Sequence, residues 1–190
     1  MRHLLTFAIA LLGAAGPTLA QGEVTVNIDR GVLETRPFTA IYPQSFRQVD
    51  DGNAVTVLTL QHAEAPIQCD VLIADGQAEG WTAESALGGF DQAAIEATWR
   101  EQFPDFAVTE RGTRDFQSGP ALYYEGEAQQ SPLGFPVKVL HAEAADQGRT
   151  YIFECLMDLA IAAESETTIA FMIANFSTRA DAECCVPLPQ

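Results

Sequence analysis

Apolar and polar residues alternate in short runs along most of this chain, and a three- to four-residue apolar spacing takes over in only two stretches. That pattern predicts a sheet-rich domain with few helices. Val24, Val26 and Ile28 alternate ahead of Asp29-Arg30-Gly31, which reads as a turn, so residues 21–36 form a first strand or an arm that pairs late. Residues 38–42, 46–49 and 54–60 follow as short strands, and the Asp-Gly pair within Asp50-Asp51-Gly52-Asn53 makes the last two a hairpin. This turn lacks the spread of acidic ligands and the closing Glu of a calcium loop.

Ile67, Cys69, Val71 and Ile73 alternate with Gln68, Asp70, Leu72 and Ala74, the period of a strand with one buried face. Cys69 belongs to the apolar set. Residues 106–114, 122–129, 135–144 and 150–157 are read as an antiparallel meander, punctuated by Gly119-Pro120, Ser131-Pro132-Leu133-Gly134 and Asp146-Gln147-Gly148. Tyr151, Phe153, Cys155 and Met157 share one face of the last strand.

Residues 80–89 form a loosely helical lead-in. The clearest helix covers residues 90–103: Asp91 suits an N-cap, Ile95, Trp99 and Phe103 recur on one stripe, and Pro104 stops the run. A last helix, capped by Asp158, is best patterned at Ile169, Met172, Ile173 and Phe176; the β-branched Thr167, Thr168 and Ile169 keep a strand open as the alternative. Together these elements predict an α+β domain, a mostly antiparallel sheet with helices packed on its faces.

The chain begins with Arg2 and His3, an apolar run over residues 4–15 and Pro17-Thr18-Leu19-Ala20, the order of a secretory signal peptide cleaved after Ala20. The run is shorter than the roughly 20 residues of a bilayer span, and Gln21 stands where a lipoprotein needs cysteine, so no membrane anchor is expected. The expected organisation is a signal peptide (1–20), one domain (21–179) and a C-terminal tail (180–190), in the periplasm or secreted. Acidic residues number 26 against 10 basic ones, a formal charge of -16, and Lys138 is the single lysine. Such a surface repels phosphate backbones, which excludes nucleic acid and anionic lipid as expected partners.

Export changes the chemistry open to Cys69, Cys155, Cys184 and Cys185, an even set in a compartment where disulfides persist. Three connectivities are possible, and joining Cys184 to Cys185 closes a strained ring. The expectation is that each tail cysteine reaches back to a strand cysteine and ties the C-terminus to the sheet. No Cys-x-x-Cys redox spacing and no zinc-type ligand pairing occurs.

The search for reactive groups yields no catalytic, cofactor-binding or metal-ligating set. His62 and His141 stand at the ends of expected strands outside any metal-binding spacing, and Ser45 lacks a nucleophile elbow. Carboxylates such as Asp70, Glu154 and Asp158 are too abundant for spacing to single out an acid or base. Asn175-Phe176-Ser177 matches a glycosylation sequon, but Phe176 belongs to the buried stripe, and the match is read as chance.

Tyr42-Pro43-Gln44-Ser45-Phe46 at an opening hairpin, the strand at 67–73, the helix ending at Phe103, and Gly148-Arg149-Thr150-Tyr151-Ile152-Phe153 leading to a helix that ends Asn175-Phe176-Ser177 together resemble the Mog1/PsbP-like α/β/α sandwich over residues 38–177. The cysteines and the 21–36 arm depart from that pattern and mark a bacterial exported subgroup. The resemblance implies a non-enzymatic binding or assembly module, carries over no site, and leaves the basic surfaces of some relatives without a counterpart here. The expected function is thus an exported binding or accessory protein with an unknown protein or small-molecule partner and no cofactor. Two rivals are a hydrolase-like enzyme built from scattered carboxylates and His141, and a thiol–disulfide protein using Cys184-Cys185.

Overall fold

The computed structural model describes residues 25–33, 36–50, 55–76 and 79–186; the leader, the tip of the turn near Gly52 and the last four residues lie outside them. Two antiparallel strands come first, β1 (Val26–Leu33) and β2 (Arg36–Pro43), paired with each other in a separate ribbon. Seven more form one antiparallel sheet: β3 (Phe46–Val49), β4 (Thr56–His62), β5 (Ile67–Asp75), β6 (Ala107–Phe116), β7 (Gly119–Ala128), β8 (Val137–Asp146) and β9 (Arg149–Asp158). Their order is β3-β4-β5-β9-β8-β7-β6. Two meanders, one of three strands and one of four, therefore meet along the β5–β9 seam.

Alternation in these strands sorts residues onto two faces. One face carries Leu58, Leu60, Cys69, Val71, Tyr151, Phe153 and Met157 and is covered by the β1–β2 ribbon and by α3 (Ala162–Ala174), which buries Ile169, Met172 and Ile173. Phe176, fully buried just beyond α3, packs against Phe38, Phe116 and Phe153. Each large side chain so buried stabilises the fold by roughly 1.5–3 kcal/mol. The opposite face is covered by α1 (Ala83–Gly88) and α2 (Gln92–Arg100), where Trp99 stacks on Phe103 and Phe106 at centroid distances of 5.9 and 5.3 Å. Gly126 lacks a side chain because the Phe106 ring occupies the space a Cβ would need.

Several boundaries move from their sequence expectations. Asp29-Arg30-Gly31 is not a turn but the middle of β1, paired with Ala40, Thr39 and Phe38. Cross-strand pairing overrides the local turn preference, and Gly31 leaves room for the ring of Phe38. Asp91 caps α2 through a 3.1 Å bond from the Ala94 N–H, yet the helix ends at Arg100, three residues short of Phe103. Within α2 itself no residue is fully buried; the stripe reaches full burial only at Phe103. The lead-in becomes a short helix under a capping box between Thr82 and Ser85. Asp158 caps a 3-10 turn (Leu159–Ile161) rather than α3 itself, and the final element is a helix, not a strand.

The cysteine pairing also differs from expectation. Cys69 and Cys155, direct cross-strand partners on the β5–β9 seam, bond to each other, and Cys184 bonds to Cys185. Register places the first two thiols face to face inside the sheet, so neither is free for the tail. Hydrogen bonds hold the tail instead: Asn175 donates to the Val186 carbonyl at 3.0 Å and accepts from the Val186 N–H at 2.6 Å, Gln117 donates to the Glu183 carbonyl at 2.6 Å, and Arg30 to that of Ala182 at 3.0 Å.

Candidate functional site

Two polar arrays stand out, one on each face of the sheet. The first follows from register alone. Thr59 faces Asp70, Asp70 faces Glu154, Glu154 faces His141, His141 faces Tyr124, and Tyr124 faces Arg111, a transverse row across six strands. His141 Nδ1 lies 3.0 Å from Glu154 and Nε2 lies 3.6 Å from Glu143, while its ring stacks on Tyr124 at 4.5 Å. Burial works against charging His141, but hydrogen bonds to Glu143 and Glu154 outweigh it, and its pKa is raised. Trp99 donates to the Tyr124 hydroxyl at 3.0 Å, and burial pushes that phenol above its usual range. Each ring nitrogen of His141 faces a carboxylate and the residue is buried, so the ring acts as a strut across the row.

The second array lies beneath α3. Small side chains at Ala170 and Ala174 leave a cleft of about 310 Å³ between the helix and the β6–β7–β8 end of the sheet. Leu140 and Ile173 supply an apolar floor. Strand alternation brings Tyr123 and Glu125 to this face of β7, and Glu125, only 7% exposed, accepts a hydrogen bond from the Tyr123 hydroxyl and pairs with Lys138 at 2.5 Å. Burial raises the Tyr123 pKa, and the hydrogen bond to Glu125 adds to it. Opposite Tyr123 sits Gly112, and the Arg114 guanidinium lies 4.5 Å over the phenol ring. Arg114 also pairs with Glu110 at 2.7 Å. Each cation around the cleft is thus tied to a carboxylate. Glu166 of α3 lines it as well, exposed, with no ion pair among the described residues.

This chemistry suits binding: an apolar floor, one enclosed ion pair and a few fixed polar groups are the composition of a ligand seat. The residues weighed as candidates from sequence lie elsewhere. His62 accepts from the Glu64 and Ala65 N–H groups at 3.2 and 2.9 Å and so closes a turn. The Ser45 carbonyl accepts from the Ala63 N–H. Asp70 accepts from Gln68 at 3.0 Å, with its other oxygen buried and unpartnered. Asp158 caps its turn, and Asn175 of the sequon is fully buried. His141 and Glu154 are brought together; Asp70 joins their row without touching His141. Reading the sequence alone missed Arg114, Tyr123, Glu125 and Glu166, although the lone lysine at Lys138 demanded a partner, and Tyr123-x-Glu125 has the spacing of one strand face.

Among the described residues no group of three or more His, Cys, Asp or Glu side chains is placed to hold a metal ion, and no helix is long and apolar enough to cross a membrane. No protein family and no curated protein matches the chain. Solved structures do. Cyanobacterial PsbP of Synechocystis is 13% identical with a TM-score of 0.54, over 86% of this chain and 98% of its own. The Ran-binding protein Mog1p of Saccharomyces cerevisiae is 8% identical with a TM-score of 0.55, over 82% of this chain and 96% of its own. LpqN of Mycobacterium tuberculosis, involved in cell envelope biogenesis, is 10% identical with a TM-score of 0.51, over 83% and 86%. At these identities the likeness speaks to architecture alone, and it establishes that this chain has the Mog1/PsbP-like fold.

Proposed function

We propose that this protein is an exported, non-enzymatic binding or accessory module whose ligand seat is the cleft beneath α3. The observation that carries the reading is the cleft itself, in which a buried carboxylate, satisfied by Tyr123 and Lys138, stands beside an apolar floor. Such a pair does little for stability compared with apolar replacements, so its presence in a cleft wall fits a role in recognition. Of the proteins that share the fold, Mog1p is a Ran-binding protein and LpqN is involved in cell envelope biogenesis, which supports an accessory role. The leader supports export and predicts that the mature chain begins at Gln21.

The enzyme reading would rest on His141, which is buried with a carboxylate facing each ring nitrogen, leaving neither nitrogen open to a substrate. A thiol–disulfide role would fall to the exposed Cys184–Cys185 pair alone, since the Cys69–Cys155 bridge is sealed inside the sheet. The test compares the wild-type chain with Ala170→Trp, which fills the cleft. Incubated with envelope extract, wild type should retain a partner or small molecule that the variant loses, and neither should hydrolyse nitrophenyl esters. Identical retention by both proteins, or hydrolysis abolished by His141→Ala, would overturn the proposal.

A further inference from the structure

We infer that β6 is a self-association edge: it pairs, antiparallel, with β6 of a second copy of this chain about a two-fold axis at Gly112. β6 ends the sheet and bonds to β7 alone, so alternate backbone N–H and C=O groups along it face away from the fold. No residue from Ala107 to Asp115 is buried. The edge is usable over a limited stretch. The Val108 N–H is taken by the Glu96 carboxylate at 3.1 Å, and the register with β7 slips between Val108 and Glu110, which ends regular pairing there. Beyond the other end, Gln117 donates its N–H to the Phe176 carbonyl at 2.7 Å. An axis at Gly112 confines the new pairing to residues 110–114, clear of both.

Charge order along the strand selects the partner. Register with β7 puts Glu110, Gly112 and Arg114 on one face. About the axis at Gly112, Glu110 stands opposite Arg114 of the second copy, Arg114 opposite its Glu110, and Arg111 opposite its Thr113. Opposite charges facing across strands stabilise the pairing, whereas a slip of one residue sets Arg111 against Arg114 and Glu110 against Asp115, like on like. Within one chain Arg114 pairs with Glu110 at 2.7 Å, and both side chains are half exposed. The second copy adds two pairs to these, giving a ring of four alternating charges above the two glycines. Gly112 suits the centre, since the space where a Cβ would stand is open. The assembly closes at two chains, because the opposite end of the sheet is β3, only four residues long. Five residues from each chain fall well short of the roughly 1,200 Å² of a stable interface, so half-assembly is expected on the order of 0.1 mM.

The test is sedimentation equilibrium on the full mature chain with its disulfides intact, from about 10 µM to about 1 mM in low salt. Mass should climb toward twice that of one chain, and about 0.5 M salt should weaken the dimer several-fold. Glu110→Arg alone and Arg114→Glu alone, each shown folded by circular dichroism, should each weaken self-association at least about tenfold, because like charges then face each other. An equal mixture of the two variants should dimerise about as well as wild type, since every arginine again meets a glutamate across the axis. Neither variant retains the Glu110–Arg114 pair within its own chain, so that recovery can arise only between chains. On wild type, which needs no substitution, amide shifts that change with dilution should centre on residues 110–114. A chain that stays monomeric to 1 mM, a dimer indifferent to both reversals, a mixture no stronger than its parts, or dilution shifts centred away from β6 would each overturn the inference.

Discussion

Replacing Lys138 with methionine isolates the enclosed ion pair on which the candidate site is built. Nζ of Lys138 lies 2.5 Å from Glu125, with side-chain exposures of 20% and 10%. At an effective dielectric of about 20 the gross attraction is about 7 kcal/mol, most of it offset by desolvating both groups. Removing one partner strands the other, an effect of roughly 3–5 kcal/mol for a fully buried pair. Here Lys138 keeps some contact with water and Glu125 keeps the Tyr123 hydroxyl, so the expected loss for Lys138→Met is about 2–3 kcal/mol. In a chain of this size that lowers Tm by roughly 4–12 °C. The double change Glu125→Met/Lys138→Met removes the stranded charge but orphans the Tyr123 hydroxyl, leaving a loss of about 1–2 kcal/mol. Adding Tyr123→Phe should bring stability back near wild type. Urea unfolding followed by tryptophan fluorescence reads all four proteins. A Lys138→Met loss below about 0.5 kcal/mol, the range of exposed pairs, would refute the reasoning, as would a triple variant weaker than the single.

Other expectations concern the frame around the cleft. The Cys69–Cys155 bridge joins the two meanders across a sequence separation of 86, so Cys69→Ala/Cys155→Ala should lower unfolding free energy by about 4–5 kcal/mol in the chain-entropy account, measured by urea titration. His141 has a folded-state pKa raised above its unfolded value, so the stability it adds is fully present below about pH 6.5 and is lost as pH rises through the folded value. The difference in melting temperature between wild type and His141→Gln should therefore shrink from pH 6 toward pH 9; a constant difference would contradict the carboxylate clamp. Asn175→Ala removes both bonds to Val186, should weaken the fold by about 1–3 kcal/mol, and should expose the tail to limited proteolysis before the sheet unfolds.

Much of the architecture is legible in residue order because strands declare themselves by alternation and helices by caps. Ile67, Cys69, Val71 and Ile73, and Tyr151, Phe153, Cys155 and Met157, place an apolar residue at every second position, and both runs become central strands whose burial alternates accordingly. Asp91 marks the start of α2. What residue order cannot carry is register, and register made the differences. It paired Asp29-Arg30-Gly31 into β1 against their turn preference, and it set Cys69 opposite Cys155, leaving the tail to Asn175 and Gln117. The candidate site was hidden for the same reason. Arg114, Tyr123 and Lys138 stand on three strands and Glu166 on a helix, with no shared spacing in the chain; only cross-strand geometry gathers them.

Mapping where small molecules bind tests the central claim most directly. A fragment library screened by amide chemical-shift perturbation on the oxidised chain should produce shifts concentrated at Arg114, Tyr123, Leu140, Ala170 and Ile173. Shifts centred instead on the His141 and Glu154 row, or spread evenly over the surface, would contradict it.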